Sequence, residues 1–421
     1  MGVRELILLG VVGAISVIAL ARPRVGLYGY LWFALSRPDL LAFVEDKYQI
    51  SLILAVATAI GATRYWHRIG VVFTNPYSKG LLLLQVPIGL SVLFSLEPRL
   101  AFDRYSFYTR MILVLLLIPI LMETEAHLRT LLLVIAISLG IVGLRLGLYG
   151  VIHGGVELAG GYGDMLGDNN FVALAMAMLI PLCWYCRSLT PYIWTRLLLL
   201  GIACASIPAV IMTNSRGGSL AMGLGLLLIF SRTRRKLASV ILVGMVLGGA
   251  VYLVRDQYLA RMSTLENYEQ EASARSRIEH AHVAFEMWKD HPLLGVGFGG
   301  MNYAALVSQY TGEENIHVAH NSYLQMLVDS GIFAFLIYAW LLMSSILWLH
   351  RSARQKNGSN AAISLAIGTP MAVSVLGGYF YSWQRIDLPY ILLMCCAAWY
   401  NLTHGESLST EKQLLHVERK A

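Results

Sequence analysis

Charged residues are scarce in this sequence. Asp, Glu, Lys and Arg make up 14% of the chain and hydrophobic residues 57%, whereas about a quarter of a soluble domain is charged. We therefore predict a polytopic membrane protein. The net charge of +7 is then no sign of nucleic-acid binding, because Lys and Arg that hold loops on the cytoplasmic side explain it better.

Cysteine is also sparse, and its positions exclude two common classes of site. The five cysteines lie in or at the ends of apolar segments, so we expect neither a disulfide framework nor a metal site. No internal repeat and no Pro- or Ser-rich linker divides the chain. No Ala-x-Ala cleavage site follows the first apolar segment, which we interpret as a retained helix.

Long apolar segments are abundant instead. They run approximately over 5–21, 25–36, 48–63, 80–96, 108–122, 128–150, 170–186, 194–213, 217–231, 237–254, 320–349, 360–382 and 388–402. This pattern predicts an all-α bundle of about 12–13 transmembrane helices. We expect one transmembrane domain over 1–402, which includes a large periplasmic loop at 255–319, and a cytoplasmic tail at 403–421.

Clusters of positive charge orient this bundle. The densest cluster falls at 232–236 and the next at 351–356, and both should be cytoplasmic. Two spans separate them, so the polar stretch 255–319 should be external. The joints at 151–169 and 214–218 then share that external face. Charge leaves open whether the N-terminus is external, with thirteen spans, or internal, with twelve.

His320 stands where a polar segment ends and an apolar helix begins. Unpaired N–H groups in the first turn of a helix create a positive field, which disfavours a protonated imidazole. We expect His320 to be neutral near neutral pH and able to accept a proton. The alternative is an interfacial histidine that only caps the helix.

Arg216 lies between two apolar runs, in Asn214-Ser215-Arg216-Gly217-Gly218. Glycine lets backbone approach a ligand closely, and the Gly-Gly-Ser that follows Arg216 resembles an anion nest. The alternative is an arginine that snorkels from a helix end.

The external loop contains a predicted helix with a basic start. One face of that helix would be apolar and consists of Ile278, Ala281, Phe285 and Trp288. Arg275 and Arg277 fall at its start, where free N–H groups favour an anion. His291-Pro292 and the glycines up to Gly300 should end the helix and form a flexible turn.

A third polar element precedes the apolar segment 170–186. Asp164 and Asp168 could together hold a divalent cation. We favour the other interpretation, in which Asp168 and the asparagines Asn169 and Asn170 cap the next helix.

These motifs together resemble a known family. His320-Asn321 followed by Gly331, with Arg216 and Arg277 before it, is similar to the signature of the O-antigen ligase and polymerase superfamily of bacterial membrane glycosyltransferases. The N-terminal third and Asp168-Asn169-Asn170 resemble its exosortase-associated O-glycosylation ligase subgroup. Many members carry an aromatic residue soon after the loop arginine. This chain has His280 and His282 there, which leaves the choice between Arg275 and Arg277 open.

The resemblance implies a GT-C-type bundle in the bacterial inner membrane, with its active site at the periplasmic face. The donor would be a glycan on undecaprenyl diphosphate, and the acceptor the lipid A core oligosaccharide or another surface acceptor. His320 would act as general base, and Arg216 with Arg277 or Arg275 would bind the diphosphate. Asn321, Asp168 and Asn169 would support them. Transfer would invert the anomeric configuration without a metal or other cofactor. Membrane lipids are expected partners and nucleic acid is not.

Three alternatives stay open. A polymerase of the same superfamily would join repeat units from carrier to carrier, and a protein O-glycosylation ligase would modify Ser or Thr of exported proteins. A transporter of the lipid-linked glycan would show mid-span charges, broken helices and repeats. The few mid-span charges here favour an enzyme.

Overall fold

The computed structural model describes residues 2–42, 49–153, 168–213, 215–233, 237, 241, 243–245, 248, 269–311, 319–382 and 387–418. The elements in these ranges are helices, and no strand occurs in them. Asp164, Asn214 and His317 lie outside the described residues. In chain order the helices are α1 (Val3–Ala21), α2 (Pro23–Ser36), α3 (Pro38–Ala42), α4 (Ile50–Ala62), α5 (Gly70–Thr74), α6 (Pro76–Leu93), α7 (Pro98–Leu115), α8 (Leu117–Leu121), α9 (Glu125–His153), α10 (Asn169–Cys186), α11 (Ile193–Met212), α12 (Arg216–Arg232), α13 (Glu269–Asp290), α14 (Met301–Thr311), α15 (Ser322–Gln355), α16 (Gly358–Gly377) and α17 (Asp387–Glu418).

Seven helices in the described part of the chain are long and apolar enough to cross a membrane, which confirms an all-α polytopic membrane protein. They are Val3–Ala21, Pro98–Leu121, Glu125–Tyr149, Asn169–Leu189, Ile193–Met212, Ser322–Gln355 and Gly358–Gly377. Helices α2, α4, α6, α12 and α17 coincide with five more of the predicted apolar segments. The segment predicted at 237–254 lies largely outside the described residues. Helix α17 runs on to Glu418 without a break at residue 402, where the predicted tail begins.

Helix α10 is apolar around its whole circumference. From Val172 to Cys186 its residues are buried, apart from the half-buried Trp184. A helix of this kind belongs in a protein interior, and α9, α11, α12 and α16 pack around it. Its first turn lies close to the first turn of α12, because a Cβ on Gly218 would be 2.4 Å from the Cβ of Ala173. The starts of these two helices are therefore held together.

One end of the bundle collects positive side chains, and we call it the basic face. Arg24 hydrogen-bonds the ring of His127 near the start of α9, and Arg129 donates to Ser359 Oγ at the start of α16, at 2.7 Å. Helices α12 and α15 end at this face. Their last turns and the residue that follows α15 carry Arg232, Arg354 and Lys356. These ends coincide with the clusters that the sequence predicts to be cytoplasmic, and the assignment to the cytoplasm stays a prediction.

The opposite end is the site face, where α10, α12 and α15 begin and α11 and α16 end. Helices α13 and α14 also lie there, packed on the start of α15 through a small apolar cluster of Met287, Tyr303 and Val328 with their neighbours. The candidates that the sequence singled out and that the structure describes start or flank helices at this face, or lie in α13.

Helix α13 differs from its prediction in two respects. It begins at Glu269 rather than near Ile278, because polar helix-forming residues extend it before the apolar periodicity starts. Its buried side chains are His280, Val283, Ala284 and Met287, whereas Ile278 and Phe285 are exposed. Half of the predicted apolar stripe therefore lies on the outer surface of the helix, whereas Ala281 and Trp288 are half-buried at the edge of the side that packs on the protein.

Candidate active site

Asn321, and not His320, caps helix α15. The Asn321 Oδ1 accepts the N–H groups of Tyr323 at 2.9 Å and Leu324 at 3.1 Å. The N–H of Ser322 is taken by the carbonyl of Gly378 at 2.8 Å, and that of Gln325 by Asn321 itself at 2.8 Å. The sequence predicts unpaired N–H groups in this turn, but in the structure these N–H groups are hydrogen-bonded. The helix contributes the field of its dipole rather than free donors.

His320 is half-buried and directly precedes this cap. Its φ of +48° places it in the left-handed region, where a residue with a Cβ stays only if its surroundings hold it. The next residues supply that restraint, since Asn321 and Ser322 are both hydrogen-bonded. The backbone on the other side is also tied, because Ala319 N donates to Gln325 Oε1 at 3.0 Å. The backbone at His320 is thus held by the fold on both sides.

Arg216 is the first residue of α12, and its side chain is exposed. Ser215 caps the helix, its Oγ accepting from Gly218 N at 3.2 Å. Among the described residues, Arg216 has no hydrogen bond or ion pair of its own. A guanidinium at the positive end of a helix, with no carboxylate to neutralise it, is suited to bind an anion.

The glycines after Arg216 do not form the expected nest open to a ligand. Both are buried. A Cβ on Gly217 would lie 2.5 Å from Tyr381 Oη and 2.6 Å from Phe380 Cβ. The absence of a side chain lets the turn after α16 approach α12, and lets α10 approach it through Gly218. The role of these glycines is packing.

Tyr381, which the sequence gave no reason to choose, joins the two candidates. Its hydroxyl hydrogen-bonds Ser215 Oγ, next to Arg216. Its backbone carbonyl accepts from Ser322 Oγ, two residues after His320. The ring is buried. One residue thereby ties the start of α12 to the start of α15, so the helix starts that carry Arg216 and follow His320 lie on opposite ends of one tyrosine.

The start of α10 adds a third helix N-terminus. Asp168 is exposed, and its Oδ1 accepts from Asn170 N at 2.7 Å, so it caps α10 as predicted. Asn169 Oδ1 is buried and accepts no hydrogen bond within the described part of the chain. A buried acceptor of this kind is suited to a ligand hydroxyl. No group of three metal-ligating side chains occurs among the described residues, and the metal-free site stays a prediction.

Arg275 and Arg277 lie inside α13 rather than at its start. Because the helix begins at Glu269, their backbone N–H groups belong to its second and third turns, where helical hydrogen bonds already use such groups. The argument for a free anion-binding end at these positions was therefore wrong. Both arginines remain on the site face by the position of α13.

The glycine turn after α13 is bonded into α15 and is not a flexible connection. Helix α15 breaks at Gly331, with φ 75° and ψ −175°. The freed carbonyls of Val328 and Asp329 accept from Val296 N at 2.8 Å and Gly297 N at 3.1 Å. In a transporter, a helix break of this kind would be expected to face the substrate. Here the backbone of Val296 and Gly297 occupies the break.

Asp329 is a buried carboxylate that completes this joint. Its Oδ1 accepts from Gln325 Nε2 at 2.8 Å and its Oδ2 from Gly299 N at 3.1 Å. Burial, and to a smaller extent the Asp329 charge, raises the pKa of Tyr303 above its ordinary value. Tyr303 therefore stays protonated and donates to the carbonyl of His280 at 3.0 Å. The loop helices are held rigidly above the start of α15.

Comparison with known proteins agrees with this geometry. Residues 202–339, which include Arg216, Arg275, Arg277 and His320, match the family model described as O-antigen ligase. Residues 3–191 match a family of unknown function, DUF5935. No curated protein is significantly similar to the chain. The match over 202–339 contains the signature residues and supports an O-antigen ligase or polymerase-like membrane enzyme of the O-antigen ligase superfamily.

Proposed function

We propose that this protein transfers a glycan from undecaprenyl diphosphate to the hydroxyl of an acceptor at the periplasmic face of the inner membrane. The observation that carries the proposal is the tie through Tyr381. Tyr381 bonds both to Ser215, next to the exposed Arg216, and to Ser322, two residues after the constrained His320, and both helix starts fall in the region that matches the O-antigen ligase model.

The charge of the leaving group gives Arg216 its proposed role. The bond between the anomeric carbon and the diphosphate oxygen breaks with negative charge developing on the diphosphate. The planar guanidinium of Arg216 can donate two hydrogen bonds to that charge, and the positive ends of the dipoles of α10, α12 and α15 lie at the same face. Arg277, with Arg275 as the other candidate, would reach the diphosphate from α13.

The acceptor hydroxyl gives His320 its proposed role. A sugar hydroxyl is a weak nucleophile, and a neutral imidazole beside it can take its proton as the new carbon–oxygen bond forms. Attack opposite the departing diphosphate inverts the anomeric configuration. His320 is assigned this role, with Asn321 holding the helix start and Asn169 offering a buried acceptor for a substrate hydroxyl.

The histidine is tested by His320→Ala in purified protein. Transfer should fall roughly 10²–10⁴-fold, the range for a positioned acid–base group, while binding of the lipid diphosphate persists. The wild-type rate should fall at acid pH, because protonation of the imidazole removes the base. His291→Ala is the control, since His291 is also half-buried and at the site face. Joint loss of binding and transfer in His320→Ala would make this residue a ligand or a cap.

The arginine is tested in the same assay. Arg216→Ala should lower turnover by about 100-fold, as for removal of one charge-stabilising donor, and Arg216→Lys should restore part of it. Arg99→Ala is the control, because Arg99 is an exposed arginine in the first turn of α7 at the same face. Equal activity of the two alanine variants would leave Arg216 without a role. The product also distinguishes the two activities, because a ligase places the glycan on a separate acceptor and a polymerase places it on a second carrier.

A further inference from the structure

Apolar side chains lie on two sides of helix α13, but protein covers only one of these sides. His280, Val283, Ala284 and Met287 are buried against α14 and the start of α15. Ile278 is nevertheless 72% exposed and Phe285 40% exposed. An apolar surface on a helix at this position needs its own explanation, because the protein core does not account for it.

The exposed surface of α13 is itself divided into two flanks. At about 100° per residue, one flank is polar and consists of Glu279, His282, Glu286 and Lys289. The other is apolar and consists of Phe285 with the half-buried Ala281 and Trp288, and Ile278 lies at the boundary; Trp288 also packs on the cluster of Met287, Tyr303 and Val328. The rings of Phe285 and Trp288 pack at 5.4 Å, so they form one continuous apolar surface. A helix with protein, polar and apolar sides is suited to a boundary between water and hydrocarbon.

The end of α13 is fixed close to the edge of the membrane. The carbonyl of Pro292 accepts from Trp288 Nε1 at 3.2 Å and from Ile332 N at 3.0 Å. After the break at Gly331, the part of α15 over 332–355 is about 36 Å long at ~1.5 Å per residue, a little more than the ~30 Å hydrocarbon core. The far end of that span carries the positive residues of the basic face. Gly331 therefore lies near the opposite hydrocarbon boundary.

Apolar side chains are also exposed where α13 joins α15. Phe333 and Leu336 of α15 are exposed within the span, and Leu293 is exposed in the segment that connects α13 to α14. The Nζ of Lys289 lies 4.9 Å from the centroid of the Phe285 ring and donates to Glu286 at 2.8 Å, so the polar flank meets the apolar flank at Phe285. A tryptophan beside such a boundary, as at Trp288, is typical of a membrane interface.

We propose that the apolar flank of α13 lies in the interfacial layer of the bilayer and contacts phospholipid acyl chains. Helix α13 then contacts the start of α15 on one side, lipid on its apolar flank and water on its polar flank. Bilayer lipid is the occupant because the end of α13 is bonded through Pro292 to the start of the span of α15, where Leu293 and Phe333 are exposed apolar side chains.

The test compares two positions of the same helix that are equally exposed in the protein. The side chain of His282 on the polar flank is 74% exposed, close to the value for Ile278. Cys204→Ser removes the half-buried cysteine, and the other four are buried. Ile278→Cys and His282→Cys are introduced separately in this background, labelled with a nitroxide and reconstituted in phosphatidylglycerol–phosphatidylethanolamine vesicles. Relaxation by oxygen, which concentrates in lipid, is compared with relaxation by a water-soluble nickel chelate.

The label at 278 should be relaxed mainly by oxygen and the label at 282 mainly by the chelate, each by a factor of several. Phe285→Cys and Glu279→Cys repeat the comparison on the two flanks. Chelate access at both 278 and 285 would overturn the proposal, because the flank would then face water. Protection of both from oxygen and chelate would also overturn it, since another protein surface would cover them. The measurement does not depend on glycan transfer.

Discussion

At the scale of single residues, the functional candidates are held by hydrogen bonds to residues that have no signature of their own. The sequence identified His320 and Arg216 from their places at the ends of apolar runs. It could not show the left-handed backbone of His320 or the bond from Ser215 to Tyr381. These features depend on a contact between positions 166 residues apart, which no local pattern encodes.

Tyr381→Phe tests that contact. The change removes the hydroxyl that bonds Ser215 but keeps the ring and the carbonyl that accepts from Ser322. A buried hydrogen bond contributes about 0.5–1.5 kcal/mol, so transfer should fall up to ~10-fold, in kcat more than in KM. Steady-state kinetics and a thermal unfolding curve would be measured together.

The matched control is Tyr28→Phe. Tyr28 is a half-buried tyrosine in α2, and its hydroxyl donates to the carbonyl of His127 at the basic face, at 3.2 Å. Loss of that hydroxyl should also lower stability and leave transfer unchanged. Parallel loss of activity in both variants would mean that Tyr381 acts only through stability, and not by positioning the two helix starts.

At the scale of elements, apolar periodicity predicted which segments are helices but not always which side is buried. Helix α13 is the informative case. Its stripe of Ile278, Ala281, Phe285 and Trp288 has the spacing of a core-facing surface, yet only Trp288 of the four packs on the buried cluster, and the buried side is centred on neighbouring residues. In a membrane protein, lipid competes with the core for apolar side chains, so periodicity alone cannot distinguish the two environments.

The break in α15 leads to a prediction about Gly331. A Cβ there would lie 2.0 Å from the carbonyl oxygen of Leu293, and the backbone region is almost restricted to glycine. Gly331→Ala should destabilise the protein by about 1–3 kcal/mol or more and speed hydrogen exchange at the N–H groups of Val296 and Gly297. Gly201→Ala in α11 should be neutral or slightly stabilising, because nothing lies within 4 Å of its added methyl. Unchanged exchange in Gly331→Ala would show that the loop is held elsewhere.

At the scale of the whole molecule, the contacts of the first helix favour one of the two span counts that charge left open. Arg64 Nη1 donates to the carbonyl of Ala21 at 3.1 Å, and Arg24 bonds His127 near the start of α9. The joint between α1 and α2 is therefore at the basic face. Since α1 is long enough to span, its Gly2 end falls at the site face, which agrees with thirteen spans rather than twelve.

The topology can be measured with reporter fusions. A reporter placed after Arg354 should be active in the cytoplasm, and reporters at residue 311 and before Gly2 should be active only in the periplasm. The positive side chains of the basic face should retain that end in the cytoplasm. A cytoplasmic signal at 311 would place His320 on the wrong side for a periplasmic donor.

The bonds at Ser322 have a consequence for the order of biogenesis. The start of α15 is completed by Gly378 and Tyr381, which follow it in the chain and reach the site face only after α16 has crossed. Up to that point the span over 332–355 can already be inserted, while residues 320–322 lack two of the hydrogen bonds that hold them. Synthesis from the N-terminus therefore leaves the site unfinished until one of the last spans is in place. A nascent chain in the translocon therefore lacks these bonds around His320 until the helices that follow α15 have been inserted.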